Sequence, residues 1–240
     1  MDLGWGCGYR NCQMLMSFLQ HEMQDGEPLL KNVLDITGIQ LLIEKAWKEG
    51  FDSLGAAQLE HHVFKTRKWI GTTEVYTLFT YLGIRSTIID FHQPGPENLH
   101  ENMFDWIEYY FTSNNTATTT TTTTGHVYIT NKPPLYLQHQ GHSRTVIGIE
   151  LLKSGKRNLI MFDPGRRMLR LSSRIKYNSS LSRPFRVDDK TIAKNKQYSL
   201  LVLGQVTNDE NGKMIWDSDK TYLLNEDERE RMKNIISLTL

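Results

Sequence analysis

The cysteine at position 7 lies between two glycines, directly before an amphipathic segment, and this arrangement constrains the fold more than any other feature of the sequence. Apolar side chains recur at helical spacing across residues 10–22, so we expect a helix that begins shortly after Cys7. A thiol at the N-terminus of a helix meets unpaired backbone N–H groups and the positive end of the helix dipole, and both favour the thiolate. Cys7 is therefore a candidate nucleophile, with a small buried loop residue as the alternative. Cys12 lies inside the helix, and we expect it to be buried and inert.

The composition is that of an ordinary globular protein. Of the 240 residues, 39% are apolar and 23% are charged, and 28 basic against 27 acidic side chains leave a net charge of +1. We therefore expect no direct binding of nucleic acid through bulk charge. No apolar run reaches the roughly 20 residues that span a bilayer, and no basic-then-apolar leader opens the chain, so we expect no membrane insertion or secretion. Two cysteines cannot form a disulfide framework, which favours a reducing compartment, the cytoplasm or the nucleus.

The hydrophobic pattern changes from helical to alternating along the chain. Helices followed by strands of alternating pattern predict an α+β fold with N-terminal helices and an antiparallel sheet. Helices are predicted at residues 10–22, between residues 37 and 50, between 72 and 83, at 99–111 and, as a charged terminal helix, at 225–240. Strands are predicted at residues 85–91, 134–138, 143–152, 158–163 and 197–204.

A threonine tract interrupts this pattern. Residues 113–125 are of low complexity, with seven consecutive threonines at 118–124, and such a segment has nothing with which to pack a core. We expect a disordered surface insertion there. Because the early helices need a sheet to cover, we predict one domain over residues 1–204, followed by an extension at 205–240.

A thiolate nucleophile requires a base, and eight histidines are available, none of them in a metal-binding motif. His139 and His142 stand apart, because they lie in a polar, glycine-containing segment directly before an apolar strand, at the rim of a sheet. A hairpin turn near residues 154–155 pairs positions whose numbers sum to about 309. Asp163 then lies within a few residues of His142 at the same end of the hairpin, and a modest β-bulge or twist would bring them together. The residues thus make Cys7, His142 and Asp163 a candidate nucleophile, base and orienting carboxylate. His139 stays open as the alternative base, and a simple turn residue is the alternative for Asp163.

Several longer motifs occur along the chain in a fixed order. They are DLGWGCGYRN at residues 2–11, AWKEGFD at 46–52, WIG at 69–71, KPPLYLQHQGHSRTVIGI at 132–149 and FDPG at 162–165. Together they closely resemble the catalytic domain of the zinc-finger-containing ubiquitin peptidases, a family related to the proteases of the ubiquitin-fold modifier. The resemblance extends over residues 2–204 and is most specific in the run at 132–149.

The resemblance implies a papain-like cysteine protease fold, with Cys7 as nucleophile and His142 as general base. It implies that Asp163 orients the imidazole and that Gln138 contributes an amide donor to the oxyanion hole. The activity that it implies is hydrolysis of the bond after the C-terminal glycine of ubiquitin in polyubiquitin chains. No metal and no cofactor are expected. Among chain types it favours those linked through lysine sixty-three, and we expect a monomer in the cytoplasm and nucleus.

The resemblance also implies substrate contacts at Asp52, Glu74 and Trp5. The tail of ubiquitin carries arginines upstream of its Gly-Gly end, and carboxylates along a channel select for arginine through bidentate pairing. Asp52 and Glu74 both sit at predicted helix ends, so helix capping is an equally good interpretation of these two residues.

Two alternatives to this function remain at the level of sequence. One is a protease specific for the ubiquitin-fold modifier, although those relatives carry Asp-Pro-His where this chain has Asp163 followed by Pro164 and Gly165. The other is a catalytically silent ubiquitin-binding module, against which the intact cysteine, histidine and aspartate argue. The family usually carries zinc fingers and ubiquitin-binding helices ahead of the catalytic domain, whereas here the nucleophile is at position 7.

Overall fold

A seven-stranded sheet lies at the centre of the protein, with helices packed on both of its faces. The computed structural model describes residues 2, 4–92, 99–113, 118–122, 125–165 and 183–240. This arrangement confirms the predicted α+β fold. The α-helices are α1 (Cys7–His21), α2 (Ile36–Lys48), α3 (Ser53–Gln58), α4 (Thr72–Tyr81), α5 (Glu101–Thr112), α6 (Asp189–Ile192) and α7 (Glu226–Arg231).

The strands pair mostly with antiparallel neighbours. In chain order they are β1 (Met23–Gln24), β2 (Glu27–Pro28), β3 (Ser86–His92), β4 (Thr118–Thr122), β5 (Gly125–Ile129), β6 (Leu135–His139), β7 (His142–Leu151), β8 (Arg157–Phe162), β9 (Arg186–Asp188), β10 (Gln197–Leu203), β11 (Gln205–Asn208), β12 (Met214–Asp217) and β13 (Ser237–Thr239). The central sheet has the order β13-β3-β10-β6-β7-β8-β9, and β13 is its only parallel member. The other strands form hairpins of their own.

Two hydrophobic cores lie on opposite faces of the central sheet. On β3, Ile88 packs with the helices α1, α2 and α4, whereas its neighbour Ile89 packs with α5. On β10, Leu201 likewise packs on the α1 side of the sheet and Leu200 on the α5 side. Successive side chains of a strand point to opposite faces, so consecutive apolar residues in the middle of these strands supply both cores. As a result, the N-terminal helix α1 is pressed directly against the middle of the sheet.

The two ends of the chain differ from the prediction in where their helices lie. Helix α1 begins at Cys7, three residues earlier than the apolar pattern indicates, so the cysteine is its first residue. The terminal helix predicted at 225–240 is wrong beyond Arg231. Ser237–Thr239 instead forms β13 beside β3, and Leu238 packs against the core on the α5 side. The reason is burial, since an edge position on the sheet covers Leu238, which the isolated charged helix would leave in water.

Part of the threonine tract is extended, whereas the sequence predicts disorder there. Thr118–Thr122 form β4, which pairs with β5 in a two-stranded sheet apart from the central one. Threonine is β-branched and favours extended backbone, so the tract can form a strand although it supplies little apolar surface for a core. Residues 114–117 and 123–124 of the predicted insertion lie outside the described residues.

The extension after residue 204 packs on the same body as the rest of the chain. The hairpin of β11 and β12 contributes Val206 and Met214 to the core on the α5 side. The predicted charged helix is present as α7, which is held by an ion pair of 2.7 Å between Arg85 and Glu228. None of the helices in the described part of the chain has the length and apolar character to cross a bilayer.

Candidate active site

Cys7 is the first residue of α1, and its flanking glycines are required by close packing. A Cβ on Gly8 would lie 2.5 Å from the carbonyl oxygen of Ile70, so any larger residue would push the helix start away from the neighbouring loop. The first N–H groups of a helix have no partner within the helix, and the dipole is positive there. The thiol therefore lies where backbone donors and helix polarity both favour negative charge, as the sequence predicts.

His142 and Asp163 meet across the hairpin of β7 and β8. The observed register pairs Thr145 with Phe162, and a β-bulge between Val146 and Gly148 shifts the pairing by one residue. His142 opens β7 while Asp163 follows the last residue of β8, so both lie at the same end of the hairpin. Their side chains form a contact of 2.8 Å between Nε2 and Oδ1.

Asp163 is held from three directions. Its Oδ1 also accepts a hydrogen bond of 2.9 Å from the Gly165 N–H, and its Oδ2 accepts one of 2.9 Å from Nε of Arg144. These hydrogen bonds fix the orientation of the carboxylate. Because Nε2 of His142 is directed to Asp163, Nδ1 is the ring nitrogen available to the Cys7 thiol, whose pKa the His142 side chain lowers.

The electrostatics of these three residues favour an ion pair. Burial raises the pKa of the Cys7 thiol, but hydrogen bonds from His142 and Ser143 outweigh it and lower this pKa to about 7. The hydrogen bond to Asp163, and then the one to Cys7, raise the pKa of His142 to about 9. Burial raises the pKa of Asp163, but the hydrogen bonds from His142 and Arg144 hold this pKa well below its ordinary value. Near neutral pH the pair therefore carries substantial thiolate and imidazolium character.

Cys12 has the opposite surroundings. It is fully buried in the core, and burial raises the pKa of its thiol well above the ordinary value. The thiol therefore stays protonated and out of contact with solvent. The expected burial of Cys12 is confirmed, and Cys7 is the more accessible of the two thiols.

Gln138 lies beside the base on the neighbouring strand. It pairs with Ser143 across β6 and β7, and its Oε1 accepts a hydrogen bond of 3.1 Å from the hydroxyl of Thr72. The amide N–H₂ remains as the donor end of the side chain. Gln138 and His142 line one groove of about 580 Å³. Gln138 thus lines the same groove as His142, and its role as an oxyanion donor stays a prediction.

The predicted substrate-binding carboxylates are both helix caps. Asp52 caps α3 by accepting a hydrogen bond of 3.0 Å from the Gly55 N–H, and Glu74 closes a capping box on α4 through the N–H of Gly71 at 2.6 Å. They are only 7% and 6% exposed. The capping interpretation is therefore confirmed, while arginine binding stays a prediction. Of the two, Glu74 lines the groove that contains Gln138 and His142.

Trp5 contacts the start of α1. Its ring meets that of Tyr9 edge to face at 5.5 Å between centroids, and it packs against the core on the α1 side. The indole is only partly buried, and its role in binding substrate stays a prediction. Sequence reasoning missed Trp69, which is 51% exposed and lines the groove beside the catalytic residues. An exposed tryptophan in the WIG motif was the available signal.

Arg144 and Asn11 were also missed. Both lie inside motifs of the sequence. The partner of Asn11, Ser143, is 132 positions away, and the partner of Arg144, Asp163, lies at the end of another strand. The described residues contain no cluster of three or more histidine, cysteine, aspartate or glutamate side chains arranged to hold a metal ion. A nucleophile at the start of a helix, with its base on the facing antiparallel sheet, is the papain-like arrangement that the sequence predicts.

Known proteins resemble this chain over much of its length. The model of peptidase family C78 matches residues 1–201. The zinc finger-containing ubiquitin peptidase 1 of Rattus norvegicus is 48% identical over 166 residues, which are 68% of this chain and 28% of that protein. The protein of the same name from Mus musculus is 44% identical over 214 residues, 87% of this chain and 36% of that protein. This chain thus spans about a third of the length of these relatives.

Two further similarities come from yeast and nematode proteins. The ubiquitin carboxyl-terminal hydrolase mug105 of Schizosaccharomyces pombe is 35% identical over 168 residues, 69% of this chain and 62% of that protein. A crystal structure of UfSP from C. elegans superposes with a TM-score of 0.46 at 19% identity, covering 85% of this chain and 30% of that one.

Proposed function

The chain belongs to peptidase family C78, and from this membership we propose that it is a thiol-dependent deubiquitinase that cleaves after the C-terminal glycine of ubiquitin. The observation that carries the proposal is the alignment of Cys7, His142 and Asp163, with the imidazole between a lowered-pKa thiol and an ionised carboxylate. A cysteine in a module that only binds ubiquitin has no need of such a base. The choice of ubiquitin as substrate is supported by the names of the relatives.

The reaction that we propose is acyl transfer through a thioester. The Sγ of Cys7 attacks the carbonyl carbon of the terminal glycine and forms a tetrahedral intermediate. The negative charge on its oxygen is met by the backbone N–H of Cys7 and the amide of Gln138. His142 then gives the Nδ1 proton to the lysine nitrogen of the leaving group, and the C–N bond breaks.

Hydrolysis of the thioester completes the cycle. His142, now neutral, takes a proton from a water molecule, and the resulting hydroxide attacks the same carbonyl carbon. The C–S bond breaks, ubiquitin leaves with a free carboxylate, and Cys7 returns to the thiolate. Asp163 holds the ring in one orientation during both halves of the reaction, because its two oxygens are fixed by Gly165 and Arg144.

Activity-based probes test this function directly. Ubiquitin that carries a C-terminal electrophile should form a covalent adduct with the chain, detected as a mass shift, and Cys7→Ala should form none. A matched probe built on the ubiquitin-fold modifier serves as the control for substrate choice. Adduct formation with the modifier probe alone would show that the modifier, and not ubiquitin, is the substrate. The absence of an adduct with either probe would contradict the enzyme assignment.

Finer aspects of substrate choice form part of the same proposal. We propose that chains linked through lysine sixty-three are preferred, and a panel of diubiquitins of every linkage tests this by comparison of initial rates. We also propose that Asp52 and Glu74 pair with arginines of the ubiquitin tail, which is supported by the position of Glu74 in the groove. The proposed location is the cytoplasm and nucleus, which fractionation of tagged protein tests.

A further inference from the structure

His139, the first histidine of the QHQGH run at 138–142, has no role in the proposed reaction, although it lies beside the base. It pairs directly with His142 across β6 and β7, and the centroids of the two rings are 6.1 Å apart. Tyr198 on β10 packs edge to face against the His139 ring at 5.7 Å between centroids. A ring held in place so close to the base is a candidate for a supporting role.

The contacts of His139 fix the position of its proton. Its Nδ1 lies 3.0 Å from the carbonyl oxygen of Gln140, and its Nε2 lies 3.5 Å from Nη1 of Arg144. A carbonyl oxygen only accepts and a guanidinium only donates, so Nδ1 carries the hydrogen and Nε2 accepts. Burial lowers the pKa of His139, which favours the same neutral form. His139 is therefore a hydrogen-bond acceptor for Arg144.

Arg144 links this histidine to the carboxylate that orients the base. It lies two positions after His142 on β7, so the two side chains share a face of the sheet. Its Nε donates to Oδ2 of Asp163 at 2.9 Å, while Nη1 of the same planar group meets His139. The side chains of Arg144 and Asp163 are only 20% and 11% exposed, so water competes little for their hydrogen bond.

The bond to Oδ2 has a different effect from the bonds to Oδ1. His142 and the Gly165 N–H both meet Oδ1 of Asp163. Arg144 adds a second fixed point at Oδ2, which opposes rotation of the carboxylate. The planar fork of a guanidinium can meet Asp163 and His139 at once in a fixed geometry, which a lysine ammonium does not reproduce.

We propose that Arg144 and His139 are positioning residues of the base: Arg144 holds Asp163 in the orientation that receives Nε2 of His142, and His139 holds Arg144. The inference rests on the proposed function in that it concerns the same base. It also makes a statement about the free protein, namely that the hydrogen bond between His142 and Asp163 weakens when Arg144 is replaced. This statement can be tested without ubiquitin.

NMR of the free protein is the first experiment. The proton between His142 and Asp163 should give a far-downfield signal in protein that carries ¹⁵N-labelled histidine, and His142→Ala identifies this signal by its loss. Arg144→Gln should shift and broaden the signal, because a carboxylate that can rotate holds the proton less firmly and lets it exchange with water. The control is Arg186→Gln, which removes an ion pair with Glu150 on the same sheet and should leave the signal in place. An unchanged signal in Arg144→Gln would overturn the proposal.

Steady-state kinetics on diubiquitin are the second experiment. Arg144→Gln should lower kcat by roughly tenfold with little change in KM, because the loss falls on the orientation of the base and not on binding. Arg144→Lys keeps the charge without the planar fork and should show a smaller loss. All variants are compared at one pH, with the ionisable neighbours Cys7 on α1 and Tyr198 on β10 unchanged. A change in KM alone would contradict the proposal. If thermal unfolding shows that Arg144→Gln does not fold, Arg144→Lys is used in both experiments, and parent values in both would refute the role of the fork.

A double-mutant cycle separates positioning from simple packing. Arg144→Gln is made again in an Asp163→Ala background, where no carboxylate is left to hold. There it should cost less than about twofold in kcat, since a residue that acts through Asp163 has no effect without it. The same fold loss in both backgrounds would show a merely structural role.

Two variants at His139 test the outer contact. His139→Phe keeps an aromatic ring against Tyr198 but offers no acceptor to Arg144, whereas His139→Gln offers a carbonyl oxygen. His139→Phe should lower kcat by about threefold, because a long hydrogen bond is weak and acts on the base only through Arg144. His139→Gln should lose less. Equal losses would show that the acceptor is unimportant and would refute the role of His139.

The NMR and kinetic results also distinguish this inference from the proposed function. A chain that cleaves no ubiquitin but shows the NMR change in Arg144→Gln would lose only its proposed function. A chain that cleaves ubiquitin but keeps the parent signal in Arg144→Gln would lose only the positioning roles.

Discussion

The Nε2 atom of His142 lies 2.8 Å from Oδ1 of Asp163, which leaves Nδ1 as the ring nitrogen available to Cys7. This single contact decides which ring nitrogen carries out chemistry and which one only holds the ring. Since the hydrogen bond also favours the charged imidazole, it links the orientation of the base to its protonation state.

The two cysteines should differ sharply when each is replaced. Cys7→Ala should abolish hydrolysis of diubiquitin while ubiquitin binding persists, because only Cys7 has a base and helix-terminal donors. Cys12→Ala should retain the catalytic rate and lose stability, by about 1 kcal/mol for a small buried side chain. Initial rates, binding titrations and melting temperatures measure the pair. An active Cys7→Ala protein would overturn the assignment.

The two neighbouring histidines form a matched pair for the base. His142→Ala should lower kcat by roughly 10²–10⁴-fold, the usual contribution of a general acid and base. His139→Ala should cost far less, since the His139 ring contacts Tyr198 and its Nδ1 pairs with the neighbouring Gln140 carbonyl. Single-turnover rates on diubiquitin provide the comparison, and equal losses in both variants would leave the role of base unassigned.

The pH dependence of kcat/KM should be bell-shaped. Activity should rise through about pH 7, as Cys7 loses its proton, and fall above about pH 9, as His142 loses the proton that the leaving amine needs. In Asp163→Asn the hydrogen bond that raises the pKa of His142 is weakened, so the upper limb should move to lower pH. An upper limb that stays in place in Asp163→Asn would show that another group sets it.

The charge of Asp52 can be separated from its capping role. Asp52 has a positive φ of 44°, which asparagine tolerates, and Asn also accepts the hydrogen bond from Gly55. Asp52→Asn should therefore keep the melting temperature and raise KM for ubiquitin substrates by about tenfold, if a charge-assisted bond to arginine is lost. Asp52→Ala serves as the capping control and should lose about 1 kcal/mol of stability. An unchanged KM in Asp52→Asn would leave capping as the whole role.

Glu228 should stabilise the folded protein. Its carboxylate meets Arg85 at 2.7 Å, and the two side chains are only 14% and 6% exposed. Glu228→Gln should destabilise the fold by roughly 2 kcal/mol, less than the about 3–5 kcal/mol of a fully buried pair, because Arg85 keeps its bond to the Thr221 carbonyl. Glu226→Gln, in the same helical turn and exposed, is the control. Equal melting temperatures for the two variants would contradict this account.

The local features of the site could be predicted from the amino-acid sequence alone. Glycines beside Cys7 and the apolar spacing after it predicted a thiol at a helix start, and the hairpin turn near residues 154–155 predicted the register that brings Asp163 to His142. The observed pairs, such as Thr145 with Phe162, lie within two positions of that prediction, and the expected bulge is present. Each of these features depends on a few neighbouring residues, whose backbone preferences and hydrophobic period can be read directly.

The contacts between distant segments could not be predicted and are known from the fold. Asn11 and Ser143 are 132 positions apart, and their hydrogen bond exists because α1 packs across β7. The strand Ser237–Thr239 likewise forms because it can pair with the edge of β3, although the sequence predicts a helix there. Such contacts depend on which faces the folded chain must bury, and a local window of sequence does not contain that information. The nucleophile could therefore be found from the residues around it, but the groups that hold it in place could not.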